Sequence, residues 1–264
     1  MSRTTLNVIY NLKEPKGDPW VGRGKTARRK LRQFGKRYEG FLKNTERPAT
    51  FTYGTLCAWQ TLIAGSSGDM VLTVNGVDMT TAFATSATVT ATAMALAVNT
   101  STDPLITGHV TAGNLATTIA LSSCLPQGFI TICGYTLRPV PKESLQDGAF
   151  EISGDNTADG DALVTAINAM PGLNDLIIAV NSSGTVTIRA RVPAASLPIN
   201  QVTKSGTSGI TLGAGVMAAT STVVLSAVHK GIPGNTITCA LTGTGSSIAG
   251  ARLAGGTSTS VAFP

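Results

Sequence analysis

"DGDALVTAINAMPGLNDLIIAVNSSGTVTIRARV", residues 159–192, decides how the rest of the chain is read. Leu163, Ala166 and Ile167 recur at helical spacing, so the segment opens with a short Ala-rich helix over 162–169. Asp159 or Asp161 is expected to cap it. Pro171-Gly172 marks a loop, and Asn-Ser-Ser-Gly at 181–184 supplies the tight turn of a strand hairpin, with Gly184 at its end. A helix followed by a hairpin is an α+β unit, and a strand, "GAFEIS" (148–153), precedes it.

The same plan occurs earlier. "MVLTVNGVDM" (70–79) reads as strand with a turn at Asn75-Gly76, "TATAMALAVNTS" (90–101) as an Ala-rich helix, and "DPLITGHVTAGNLATTIALSS" (103–123) as a hairpin turning at 111–114. Ala93, Ala97 and Val98 take positions like those of Leu163, Ala166 and Ile167. The unit ends also match. "LSSCLPQGFITIC" (121–133) lies against "LSAVHKGIPGNTITC" (225–239), and 185–212 is a third version of the same strand–turn–strand. In the last of these, Pro233, Gly234 and Asn235 make the turn, with Asn235 expected at positive φ, and Ile237 and Cys239 share one face. The expected fold is mainly β, α+β in detail: a basic arm at 1–54, a first β-rich module at 55–142, and a second at 143–264 with a C-terminal hairpin unit.

Composition supports a β-rich protein of small residues. Only 13% of the 264 residues are charged and 5% are aromatic, with 29 glycines; ordinary soluble domains carry about 25% charge. So little charge suits a subunit that covers much of its surface with neighbours. No apolar run reaches the roughly 18 residues of a membrane span. The N-terminus lacks the apolar stretch and cleavage site of a secretory signal.

Charge is unevenly divided. Residues 1–48 hold 13 Lys+Arg and 4 Asp+Glu, a net of 13 − 4 = +9, and the rest holds 20 − 13 = 7 basic and 14 − 4 = 10 acidic residues, a net of −3. Within the arm, Ala27, Leu31, Phe34, Tyr38 and Leu42 share one face of a helix over about 25–43. Arg28, Arg29, Arg32, Lys36, Arg37 and Lys43 supply its basic rim. Gly35 and Gly40 each weaken that helix by roughly 1 kcal/mol, so it needs a partner surface. Three readings compete: a helix packed on its own body, an arm docked on a neighbouring subunit through Phe34, Tyr38 and Trp20, and phosphate binding along nucleic acid. No DNA-reading motif follows the arm, and the body has no basic stripe.

Catalytic or metal constellations are not legible. Cys57, Cys124, Cys133 and Cys239 lack metal-ligand spacing, and buried reduced thiols are expected. The two histidines, His109 and His229, read as surface or turn residues. There is no G-x-S-x-G. "DNTADGDAL" (155–163) matches the start of a calcium loop but has Ala166 where the bidentate Glu belongs, so it reads as turn and helix cap. No cofactor or metal is expected.

Asn75 and Gly76, Ala162–Ala169 ("ALVTAINA"), Gly184–Ala190 ("GTVTIRA"), Gly231, Pro233, Gly234, Asn235, Ile237, Leu253, Gly255 and Gly256 together form a pattern. It resembles a module that recurs in structural proteins of tailed bacteriophages, among them tail-sheath, tail and capsid-associated subunits. The resemblance covers about 56–264; the first copy departs from it in having Pro126-Gln127-Gly128 in place of Gly-Asn. It implies a non-enzymatic, homo-oligomeric virion protein whose partners are the major capsid protein or tail subunits, assembled in the host bacterial cytoplasm. Within that class the detachable arm suits a head-decoration (cement) or head–tail-associated protein. A tail tube or sheath subunit is the alternative, and a nucleic-acid-binding protein acting through the arm a further one.

Overall fold

The computed structural model describes residues 50–142, 148–206 and 209–262. The chain divides into a body, Thr52–Ser260, and a second unit of Met1–Phe51 with Val261–Pro264. Of that second unit only residues 50–51 and 261–262 are described. The arm-docking residues Trp20, Arg28, Arg29, Leu31, Arg32, Phe34, Lys36, Arg37, Tyr38 and Leu42 lie outside the described residues.

The fold is mainly β. In chain order come β1 (Thr50–Ile63), β2 (Ser67–Val74), β3 (Val77–Ala82), α1 (Ala87–Thr100), β4 (Val110–Leu121), β5 (Phe129–Ile132), β6 (Tyr135–Val140) and β7 (Ala149–Glu151). Then follow α2 (Asn156–Ala169), α3 (Leu173–Leu176), β8 (Ile177–Ser182), β9 (Thr185–Ala190), β10 (Val202–Ser205) and β11 (Ile210–Leu212). The body closes with β12 (Ala218–Lys230), a 3-10 turn (Ile232–Thr236), β13 (Cys239–Thr244), β14 (Ser247–Ile248) and β15 (Thr257–Ala262). An eight-stranded sheet runs β14-β1-β12-β4-β9-β8, with β11 beside β4 and β15 beside β1. A four-stranded sheet runs β10-β5-β6-β7 and a three-stranded one β13-β2-β3. No described helix is long and apolar enough to cross a membrane.

Two apolar cores lie along the large sheet, and they interleave in sequence. One joins Leu62, Met70, Leu72, Met94 and Val98 to Val223, Leu225, Cys239 and Leu253. The other joins Ile119, Ile130, Ile132, Phe150, Leu163, Ile167, Ile188 and Val202. The boundary read at 142/143 does not separate them, because β5 and β6 feed the second core while β12 and β13 return to the first. β4 serves both: Ala112 faces the first core and Leu115, Ile119 and Leu121 the second.

The repeat is visible in the backbone, in a register different from the one read in the sequence. β2–β3 and β5–β6 are hairpins with two-residue turns, Asn75-Gly76 (φ 52° and 83°) and Cys133-Gly134 (φ 50° and 89°). The Asn75 N–H donates to Thr238 O and the Cys133 N–H to Gln201 O, each at 3.0 Å. Val74 pairs with Cys239 and Ile132 with Val202. The counterpart of Cys133 is therefore Asn75, not Cys239, and 185–205 corresponds to 222–242 at a constant offset of 239 − 202 = 37. Those latter segments are corners rather than hairpins: β9 and β12 lie in the large sheet, β10 and β13 in the small ones.

Three further expectations change. Residues 111–114 are not a turn, since β4 runs unbroken through them. Gly113 is there because the backbone of 190–192 crosses it: a Cβ would stand 2.5 Å from Ala190 O and 2.6 Å from Val192 O. Asn114 is buried and donates from Nδ2 to Thr92 Oγ1 at 2.8 Å. The cap of α2 is Asp155, whose Oδ1 accepts the Thr157 and Ala158 N–H groups at 2.8 and 2.9 Å. Asp159 instead turns inward to accept from Ser153, and Asp161 accepts from Asn181. In α1 the buried face is Thr90, Ala91, Met94, Ala95 and Val98, which leaves Ala93 outside. Ser86 caps that helix, accepting from Val89 N–H at 3.3 Å.

Candidate functional site: a buried arginine between two cores

Arg191 follows the last residue of β9 and is 4% exposed. A buried guanidinium is costly unless its N–H groups are bonded. Here Nε donates to Ser226 Oγ at 3.0 Å, one terminal nitrogen to Asn174 O at 2.8 Å, and the other to Cys57 O at 2.6 Å. One side chain thereby ties β12, α3 and β1 to the end of β9. Its own backbone is held by Leu176 O, which accepts the Arg191 N–H at 2.9 Å, and by the Thr111 hydroxyl, which donates to Arg191 O at 3.1 Å. Burial lowers the guanidinium from its ordinary range, and the nearby Cys57 and Asp175 oppose that.

Charge around Arg191 is arranged in a short chain. Lys230 Nζ pairs with Asp175 Oδ1 at 2.7 Å and donates to Asn174 Oδ1 at 3.1 Å. Both members of that pair are partly exposed, so it contributes little by itself. A cleft of about 130 Å³ opens beside the arginine, lined by Thr111, Asp175, Val192, Ser226 and Val228 among others. Ordinary small-molecule sites enclose roughly 300–1,000 Å³, so this cleft suits water or a small group. Cys57 stands beside the arginine, yet burial raises its thiol, and its Sγ faces Val228 O at 3.9 Å. A raised thiol is not an activated nucleophile. The arrangement braces strands and has no nucleophile–base pair.

All four cysteines are buried and free. Burial raises each thiol, and Cys133 is pushed from its ordinary 9.0 to about 11. The unfolded thiol then ionises first, so its share of stability is present below pH 9 and lost as pH rises toward 11. Urea titrations between pH 8 and 11 should show wild type losing about 2 kcal/mol more than Cys133→Ala across that window. Parallel curves would contradict the assignment.

The turn residues named from sequence do not converge on one site. Asn75 Nδ2 donates to Leu105 O at 3.0 Å, fastening its hairpin to the segment after α1. Gly184 (φ 84°) closes β8–β9, where a Cβ would stand 2.8 Å from Asn156 Cβ. Pro233, Gly234 and Asn235 lie in the 3-10 turn, and Asn235 is not at positive φ. Its role is carried by the side chain: Nδ2 donates to Gly256 O at 3.0 Å and Oδ1 accepts the Gly256 N–H at 2.9 Å. Gly256 approaches closely enough that a Cβ would meet Gly231 O at 2.4 Å. The Gly-rich C-terminal stretch is thus a strap locked into the corner between β12 and β13. Asn235→Val should destabilise the body by about 1–3 kcal/mol in thermal or urea unfolding, because two bonds to Gly256 are lost. An unchanged midpoint would rule out this lock.

Arg191, Asn174, Asp175, Ser226 and Lys230 carry no local sequence signal, since together they match no motif. The fold also brings together the chain's two histidines, which the sequence places 229 − 109 = 120 residues apart. Their rings lie 6.4 Å apart, centre to centre, at 73°. Among the described residues no group of three or more His, Cys, Asp or Glu side chains is placed to hold a metal ion. No protein-family model matches the chain, and comparison with curated proteins yields no significant match.

Proposed function

We propose that this chain is a non-enzymatic structural subunit of a tailed-bacteriophage virion, a capsid decoration or head–tail-associated protein docked through its basic arm. The observation that carries this reading is the division of charge, +9 in residues 1–48 against −3 in the remainder. A cationic tether on a nearly neutral body suits attachment to an acidic neighbour, where electrostatics sets orientation and association rate. Repetition in a lattice then multiplies weak contacts into tight assembly. The outer face of α1 supports the reading as well: the helix has no charged residue, and Val89 and Leu96 are 47% and 60% exposed. The resemblance to phage structural modules points the same way.

Co-sedimentation tests this. The intact chain should pellet with particles that lack it, and a chain beginning at residue 49 should stay in the supernatant while keeping its circular-dichroism spectrum. Equal occupancy by both chains would overturn docking through the arm. Assembly of the isolated protein into tubes would favour the tail reading, and retention on DNA that salt abolishes would favour nucleic acid.

A further inference from the structure

We propose that His109 and His229 form a surface site for one borderline divalent metal ion, Cu²⁺ or Zn²⁺. Both residues are exposed, and among the described residues neither imidazole has a hydrogen bond or ion pair. Imidazole nitrogens are ligands that such ions select. With each ligating nitrogen about 2.0–2.1 Å from a shared ion, ring centres stand at most roughly 6.5 Å apart. The observed 6.4 Å is just inside that limit, with the rings edge to face at 73°, so both exposed side chains rotate to aim a nitrogen at a shared ion.

The backbone holds both histidines in place without metal. His109 ends a tight turn in which the Ile106 and Thr107 N–H groups donate to Asp103 O and the His109 N–H to Ile106 O. Gly108 (φ 76°) supplies the reversal. The Val228 N–H then donates to His109 O at 2.9 Å, so the residue preceding His229 is bonded to His109 itself. Lys230, next along β12, has its ammonium drawn to Asp175 and Asn174. No third protein ligand completes the set among the described residues, so water or a group from another molecule fills the remaining positions.

The test is calorimetric titration of the full-length protein with CuCl₂ and ZnCl₂, beside His109→Gln and His229→Gln. Both positions are exposed, and equal unfolding midpoints would verify that the variants fold. Wild type should bind one ion saturably, Cu²⁺ more tightly than Zn²⁺. Each single variant should bind at least about tenfold more weakly, since one imidazole no longer chelates. Histidine Hε1 and Hδ2 resonances of both rings should shift or broaden together at one equivalent. Absence of saturable binding in wild type, or binding unchanged in both variants, would overturn the site.

Discussion

Arg191→Met should lower the unfolding free energy by about 3–5 kcal/mol, because Cys57 O, Asn174 O and Ser226 Oγ all lose their donor inside the protein. Methionine fills much of the volume, so the loss reports bonding rather than a cavity. Arg191→Lys should recover only part of it, since an ammonium cannot span acceptors that the planar guanidinium reaches in three directions. Urea unfolding followed by circular dichroism reads the effect. A change under 1 kcal/mol for Arg191→Met would mean that the arginine is a passenger and that the braced junction is held by apolar packing alone.

The second large effect is expected at Gly113. Alanine there puts a methyl within 2.6 Å of two carbonyl oxygens, those of Ala190 and Val192. These are backbone atoms, so the contact is relieved only by moving the end of β9, which carries Arg191 between them. Gly113→Ala should therefore cost about 3 kcal/mol, at the upper end of what overpacking does. Because the two sites share that backbone, the double variant Gly113→Ala/Arg191→Met should be more stable than the sum of single losses implies, by about 1 kcal/mol or more. Strict additivity would show that Gly113 and Arg191 act independently.

Gly113 also shows why part of this fold was hidden from the sequence. Thr-Ala-Gly-Asn at 111–114 has the composition of a hairpin turn, and local chemistry favours one. What keeps it extended is distant: a crossing backbone that only glycine admits, and Thr92 and Thr220, which hold the buried Asn114 in place. The buried face of α1 is hidden for a related reason. Its sequence has no charged residue, so nothing marks the solvent side, and burial of Met94 and exposure of Ala93 follow from packing on β12 and β4. In α2, Thr157, Asp161 and Thr165 mark the outside, and Leu163 and Ile167 fall in the core as their spacing implies. The Asn-Gly and Ser-Gly turns were legible because positive φ is a local demand that few residues meet.

The candidate site was less legible than the fold. Arg191 sits where alternation along β9 stops, since Ala190 and Arg191 are both buried. An isolated arginine after a strand carries no mark of the acceptors that meet it from β1, β12 and α3. The corner strap had a partial signal in its glycines. The residue that fastens it, Asn235, bonds through its side chain, which its place in a turn does not announce. The histidine pair had no signal, because the register that joins β12 to β4 is set by the apolar faces of both strands.

We propose that the protein works by fitting against other proteins in a repeating particle. Imaging intact virions by electron cryomicroscopy, at a resolution that traces chains, tests it most directly. Many symmetry-related copies of this body are expected on heads or at the head–tail junction, each with its residues 1–48 lying against a neighbouring subunit. Particles that lack the chain, with the protein recovered only as a free monomer that turns over a substrate, would contradict it.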